Sequence, residues 1–110
     1  MKESRVQTNI KNALTRVGAR VFNVHGHLMQ EPGWPDLLVW HRQGFFAIEL
    51  KIEQGRLRPE QRLILDDLSA RGFNAMVLRW FPGHILLKDN GDQLSWDGKD
   101  GLSLLRFLKG

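Results

Sequence analysis

No cysteine occurs among the 110 residues of this sequence, which removes disulfides, thiolate zinc centres and cysteine nucleophiles together. Any metal must therefore be held by oxygen or imidazole, and the usage suits a reducing compartment. Long apolar runs are missing as well. No stretch approaches the ~20 residues that a membrane span needs, and Met1-Lys2-Glu3-Ser4-Arg5 leads into a polar segment rather than a signal-peptide core. Low-complexity tracts, internal repeats and linkers are also absent. These absences lead us to expect a soluble, cytoplasmic protein whose residues 1–110 form one domain, with about 60 to 70% of the unfolded chain's surface buried. Acidic residues are the minority, 12 against 16 Lys and Arg, for a net charge of +4. That balance favours polyanionic partners, and by itself it is a weak pointer.

What is present is strongly patterned. Val6, Ile10, Ala13, Leu14 and Val17 share one stripe of a helix over about 3–17 that Gly18 can close. Arg20 to Val24 reads as a short strand, and His25 to Pro35, broken by Gly26, Pro32 and Gly33, as a loop. Leu37 to His41 and Phe45 to Ile52 are apolar runs joined by Arg42-Gln43-Gly44, which predicts an antiparallel hairpin. After a turn at Gln54-Gly55-Arg56, Pro59 suits the first position of a second helix, with Ile64, Leu65 and Leu68 on its inner face and Gly72 as its cap. Phe73 to Trp80 resumes strand character. Ile85 to Leu87 and Leu94 to Trp96 predict a second hairpin around Asn90-Gly91, and a short helix covers about 101–108. The order is helix, three strands, helix, strand. It describes an α/β fold with a mixed sheet, because a strand-helix-strand unit favours a parallel crossover and a hairpin does not.

Within the first hairpin, Asp36 opens one strand while Glu49 and Lys51 sit two apart on the other, so they share a face and Phe46, Ile48, Leu50 and Ile52 take the opposite one. Pairing brings the start of the first strand beside the end of the second, and Asp36 within reach of Glu49. In an ordinary hairpin these charges would be the solvated side of a half-buried strand. Here Phe45 and Ala47 occupy the same face, which argues against a fully exposed surface. Charges on a largely buried face need partners, and a hard cation is a natural partner for two carboxylates.

Gly33-Trp34-Pro35-Asp36, Glu49-Leu50-Lys51, Leu57 with Pro59 and Gln61, and Gly72 together resemble the virus-type replication-repair nuclease (VRR-NUC) domain of the PD-(D/E)XK nuclease superfamily, over roughly 3–80. The resemblance implies a restriction-endonuclease-like αβββαβ core, here followed by a C-terminal hairpin and short helix over 81–110. It implies hydrolysis of DNA phosphodiesters with Mg²⁺ or Mn²⁺ and no nucleotide cofactor. Asp36 and Glu49 would be metal ligands with the Leu50 main-chain carbonyl as a third, Lys51 would activate water and steady charge on the phosphate, and Gln61 would support the site. Such a set suits the reaction, which needs a polarised phosphoryl oxygen and a hydroxide-like nucleophile.

Other residues carry two readings each. Gln61, third in its helix, can cap the helix start or serve the site. Arg58 stands where related domains often carry Ser or Thr, and it cannot cap. Glu3 resembles an acid that approaches the metal in related nucleases, and it also suits the dipole of a first turn. His25 and His27 flank Gly26 as a zinc-type pair without a third ligand, as DNA contacts or as ordinary loop residues. Lys2, Arg5, Lys11 and Arg16 form the outer side of the first helix, solvated or facing phosphate, and Arg56 and Arg58 join Lys2 and Arg5 as DNA contacts. Trp40, Trp80 and Trp96 read as packing residues, with Trp34 the one aromatic suited to DNA.

The expectation is thus a metal-dependent endonuclease selective for branched, flap or four-way junction (Holliday junction) DNA in replication, recombination or repair, with a phage or other mobile element as its origin and the host cytoplasm as its location. A non-catalytic DNA-binding module of the same fold and a sequence-specific restriction-type enzyme are the alternatives. A homodimer would present two sites to two arms of a junction. Leu102, Leu104, Leu105, Phe107 and Leu108 would either supply its interface or cap the chain's own core.

Overall fold

The computed structural model describes residues 2–26 and 31–110. Its elements are α1 (Glu3–Arg16), β1 (Arg20–Asn23), a 3₁₀ turn (Val24–Gly26), β2 (Leu37–His41), β3 (Gly44–Ile52), α2 (Pro59–Ala70), β4 (Asn74–Phe81), β5 (Ile85–Lys88), β6 (Gln93–Ser95) and α3 (Gly101–Lys109). The strands form one six-stranded sheet in chain order. Adjacent strands pair antiparallel except β3 and β4, which run parallel because α2 carries the chain back between them. This is the mixed α/β sheet that the pattern predicts. Element boundaries differ from the sequence reading by a residue or two, as at Val24, which begins the turn instead of ending β1.

Strand alternation sorts the two faces. Phe46, Ile48 and Leu50 join Val6, Ile10, Ala13 and Leu14 of α1 and Leu104, Leu105 and Leu108 of α3 in the main core. The opposite face of β3 holds Ala47 and Glu49, both buried. There α2 lies over the sheet, contributing Leu65 and Gln61. Trp96 is 1% exposed and donates its indole N–H to the Asp100 carbonyl at 2.9 Å, joining β6 to the start of α3.

One open alternative is resolved here and one expectation corrected. The leucines of α3 belong to the chain's own core, and only Leu102, 55% exposed, looks outward. Their spacing could not distinguish the two uses, because any amphipathic helix offers the same stripe to a partner or to its own sheet. Trp40 is 46% exposed rather than packed, since it lies on the α2 side of the sheet but at the β2 end.

Helix α3 comes very close to α1. A Cβ built on Gly101 falls on the Ala13 carbonyl oxygen and lies 2.9 Å from Val17 Cγ1, so only glycine fits at this crossing. We expect Gly101→Ala to destabilise the protein by about 1–3 kcal/mol, lowering the melting temperature by roughly 4 °C or more. Leu102→Ala, one residue along on the exposed side, should leave it nearly unchanged. Calorimetry or thermal circular dichroism checks both, and equal melting of Gly101→Ala and the parent protein would contradict this docking.

Candidate active site

At the C-terminal end of β3 the sheet has a local vacancy. β2 begins only at Leu37, opposite Ile48, so β3 runs on past its neighbour. Asp36 Oδ2 closes the gap by accepting the Leu50 N–H at 2.8 Å. A carboxylate thus does the work of a strand carbonyl, and this fixes Asp36 at 4% exposure. The approach to Asp36 is set by Gly33, whose φ is +94° and whose Cβ, if present, would meet the Glu60 carbonyl oxygen at 2.5 Å. Gly33 thereby seats the loop on the first turn of α2, and Pro35 follows it into a buried position.

Glu49 projects from the middle of β3 and is 2% exposed. Its Oε2 accepts from Gln61 Nε2 at 3.0 Å and lies 3.6 Å from Lys51 Nζ. Its Oε1 is buried and, among the described residues, has no hydrogen-bond partner. Gln61 uses its other end to cap: Oε1 accepts the Arg58 N–H at 2.8 Å. The two readings of Gln61 are therefore both true, because an amide has an acceptor and a donor and each serves one of them. This also answers the missing cap at Arg58, whose own side chain instead lies 3.5 Å from Glu60 Oε1.

His25 Nε2 stands 3.2 Å from Asp36 Oδ1. One ligand atom from each of His25, Asp36 and Glu49 can be chosen so that all lie within 4.8 Å of one another. Glu3 approaches from α1, close enough to feel the charges of Asp36, Lys51 and His25, and a polar chain runs from Asn23 to Gln7 at 3.4 Å and from Gln7 to Glu3 at 3.5 Å. His27 lies outside the described residues. Lys2, Arg5, Lys11, Arg16, Arg56 and Arg58 are all exposed. Trp34 is half-buried, its indole N–H donated to Glu31 Oε2 at 3.3 Å.

One residue escaped the sequence reading. Arg79 of β4, in register with Lys51, donates from Nη1 to the Glu53 carbonyl at 2.9 Å and the Gly55 carbonyl at 2.7 Å. It clamps the connection that carries Arg56 and Arg58 beside the site. An arginine inside an otherwise apolar strand was the available signal.

The electrostatics follow from burial. Glu49 is pushed up to about 8, first by removal from water and then by the Asp36 charge, against a smaller downward pull from Lys51. Glu3 is raised as well, chiefly by burial and then by Asp36. Two buried acids thus face each other beside a lysine, with one carboxylate oxygen unsatisfied among the described residues. Hard oxygen donors and an imidazole in this arrangement fit a divalent cation.

The chain matches the VRR-NUC domain over residues 3–81. Among solved structures it is similar to one described as a VRR-NUC domain, at 30% identity and a TM-score of 0.60, with 68% of this chain and 81% of that one covered. It is also similar to Hjc of Archaeoglobus fulgidus, a Holliday junction resolvase from an archaeal hyperthermophile, at 19% identity and a TM-score of 0.59, with 77% and 74% covered. The second likeness is one of fold. No curated protein matches.

The raised Glu49 makes a stability prediction. The folded chain keeps a proton up to about pH 8 that the unfolded chain releases near its ordinary value of 4.5, so the folded state binds more protons between those limits and stability falls as pH rises through them. In EDTA the parent protein should lose several degrees of melting temperature between about pH 5 and about pH 8 relative to Glu49→Gln, which has no proton to release. Parallel melting curves for the two proteins would contradict the assignment.

Proposed function

The chain belongs to the VRR-NUC domain family, and from that premise we propose that it is a divalent-cation-dependent endonuclease that hydrolyses phosphodiester bonds in branched DNA. The observation that carries this reading is the convergence of Asp36 and Lys51 on the buried Glu49 carboxylate, with Lys51 beside Oε2 and Oε1 without a hydrogen-bond partner among the described residues. Asp36, Glu49 and the Leu50 carbonyl would hold Mg²⁺ or Mn²⁺, with Glu3 close by. Bound there, the cation would polarise a phosphoryl oxygen and lower the pKa of a water.

The chain's own groups do the rest. Gln61 orients the Glu49 carboxylate, and the Leu50 N–H orients that of Asp36. Lys51 brings a positive charge to the place where negative charge grows on the phosphate. Lys2 and Arg5 on α1, with Arg56 and Arg58 on the clamped connection, supply phosphate contacts around the site, and Trp34 a surface for a sugar or base. Such contacts position DNA without reading its sequence, which favours selection by shape over selection by sequence.

A site this small gains shape selectivity by pairing. We therefore also propose a homodimer in which two sites meet two arms of a junction. With the α3 leucines committed to the core, the support for an interface moves to the exposed aromatics on the other face, Trp40 and, at 49% exposure, Phe73, whose ring stands edge-on to Phe45 at 5.7 Å.

A cleavage panel of junction, flap, single-stranded and duplex DNA tests the proposal. Cutting should require Mg²⁺ or Mn²⁺ and stop in EDTA. Asp36→Asn, Glu49→Gln and Lys51→Ala should each lose at least about 100-fold in rate while the fold and DNA binding are kept. Undiminished cutting in excess EDTA, or wild-type turnover by Lys51→Ala, would refute the mechanism. On the same panel the junction should be cut faster than plain duplex, and light scattering at micromolar concentration should give the mass of a pair. A monomer that cuts junction and duplex equally would overturn the second part.

A further inference from the structure

We propose that His25 is a fourth protein ligand of the cation held by Asp36, Glu49 and the Leu50 carbonyl, and that its imidazole tilts the site toward Mn²⁺ and other first-row transition ions over Mg²⁺. The inference rests on the metal reading of the site and adds a ligand and a selectivity to it.

The backbone builds His25 against Asp36. Val24, fully buried, donates its N–H to the Asp36 carbonyl at 2.9 Å, which extends the pairing of β1 with β2 by one step beyond Asn23 and Leu37. The next N–H, that of His25, is taken by Asn23 Oδ1 at 3.1 Å. Two hydrogen bonds therefore set the Cα of His25 and send its ring toward the carboxylate.

The donor atoms are arranged as ligands of one ion would be. Two atoms that share a cation at ~2.1 Å lie roughly 3 Å apart when adjacent and roughly 4.2 Å apart when opposite. His25 Nε2 and Asp36 Oδ1 are 3.2 Å apart, and the three residues offer atoms within 4.8 Å of one another. Each carboxylate has one oxygen engaged and one available: Asp36 Oδ2 binds Leu50 and Glu49 Oε2 binds Gln61. The available Glu49 oxygen is the buried one with no geometric hydrogen-bond partner among the described residues, and Glu49 stands against the Asp36 carboxylate, with which it can share only a proton or a cation. The His25 side chain is 49% exposed, so water and a phosphate can reach an ion on this side.

Chemistry then gives the selectivity. Mg²⁺ takes carboxylates, carbonyls and water and gains little from nitrogen, whereas Mn²⁺ and the later ions accept imidazole with affinity rising along the series. A plain hydrogen bond from His25 that merely steadies Asp36 would instead affect all cations alike.

Calorimetric titration of the DNA-free protein with Mn²⁺ and with Mg²⁺ separates these cases. His25→Ala should weaken Mn²⁺ binding by about tenfold or more and Mg²⁺ binding by less than about threefold, taking the scale from known effects of altered metal surroundings. Electron spin echo spectroscopy of the Mn²⁺-loaded parent protein should show a coordinated ¹⁴N nucleus, a readout that needs no variant, and His25→Ala should lose it. Absence of the nitrogen signal in the parent, or equal weakening for both ions, would overturn the role of His25 while leaving the Asp36 and Glu49 site intact. If the parent protein binds neither ion, or Asp36→Asn and Glu49→Gln bind Mn²⁺ as well as the parent does, the metal reading itself fails and this proposal with it.

Discussion

A carboxylate kept almost wholly from water is the constraint around which the rest of the molecule is arranged. Burying Glu49 in the sheet would cost several kcal/mol if its charge were unpaired, so the surroundings must answer it. Gln61 answers one oxygen, which requires that α2 start where it does. That start requires Gly33 to pass tightly over Glu60, and the same loop delivers Asp36 to the gap at the end of β2. Raising the affinity of Glu49 for a proton is the structure's way of tolerating the site without a cation, and a cation would replace that proton.

Much of this was legible in the sequence, and the parts that were not share a cause. Period-two alternation in β3 placed Glu49 with Lys51, and the apolar neighbours Phe45 and Ala47 foretold that their face would be covered. The stripe of α1, the Pro59 start of α2 and the glycine turns fixed the element order, since each of these signals is local. Gln61 was read as either a cap or a site residue, because a sequence shows a residue once and does not show that its two ends reach different partners. The closeness of His25 to Asp36 depends on one extra hydrogen-bonded step between β1 and β2, which no periodicity records.

Surface use was harder still. Trp40 reads as a packing residue and the α3 leucines as either interface or core, because composition says that a side chain prefers burial without saying which surface will bury it. The leucines found α1 and the sheet, while Trp40 lies toward an edge that α2 does not reach. Nothing in the strand's alternation marks Arg79 as more than a solvent-facing arginine. Here it turns to two carbonyls of the β3–α2 connection, so the cation is spent on shaping the loop that carries Arg56 and Arg58.

The single parallel pairing divides the molecule into an N-terminal and a C-terminal part. α1 with β1, β2 and β3 forms through hairpins and near-neighbour contacts, as do β4, β5 and β6, and short-range pairing of this kind closes quickly. Joining β3 to β4 requires the whole of α2 to be in place, and the docking of α3 on α1 spans most of the chain. Asp36, Glu49 and Lys51 belong to the first part, Gln61 and Arg79 to the second. The reactive centre therefore lies on the seam and is complete only when the two parts meet, so a chain with its first part alone folded carries Asp36 already held by the Leu50 N–H but Glu49 without the Gln61 amide that aims it.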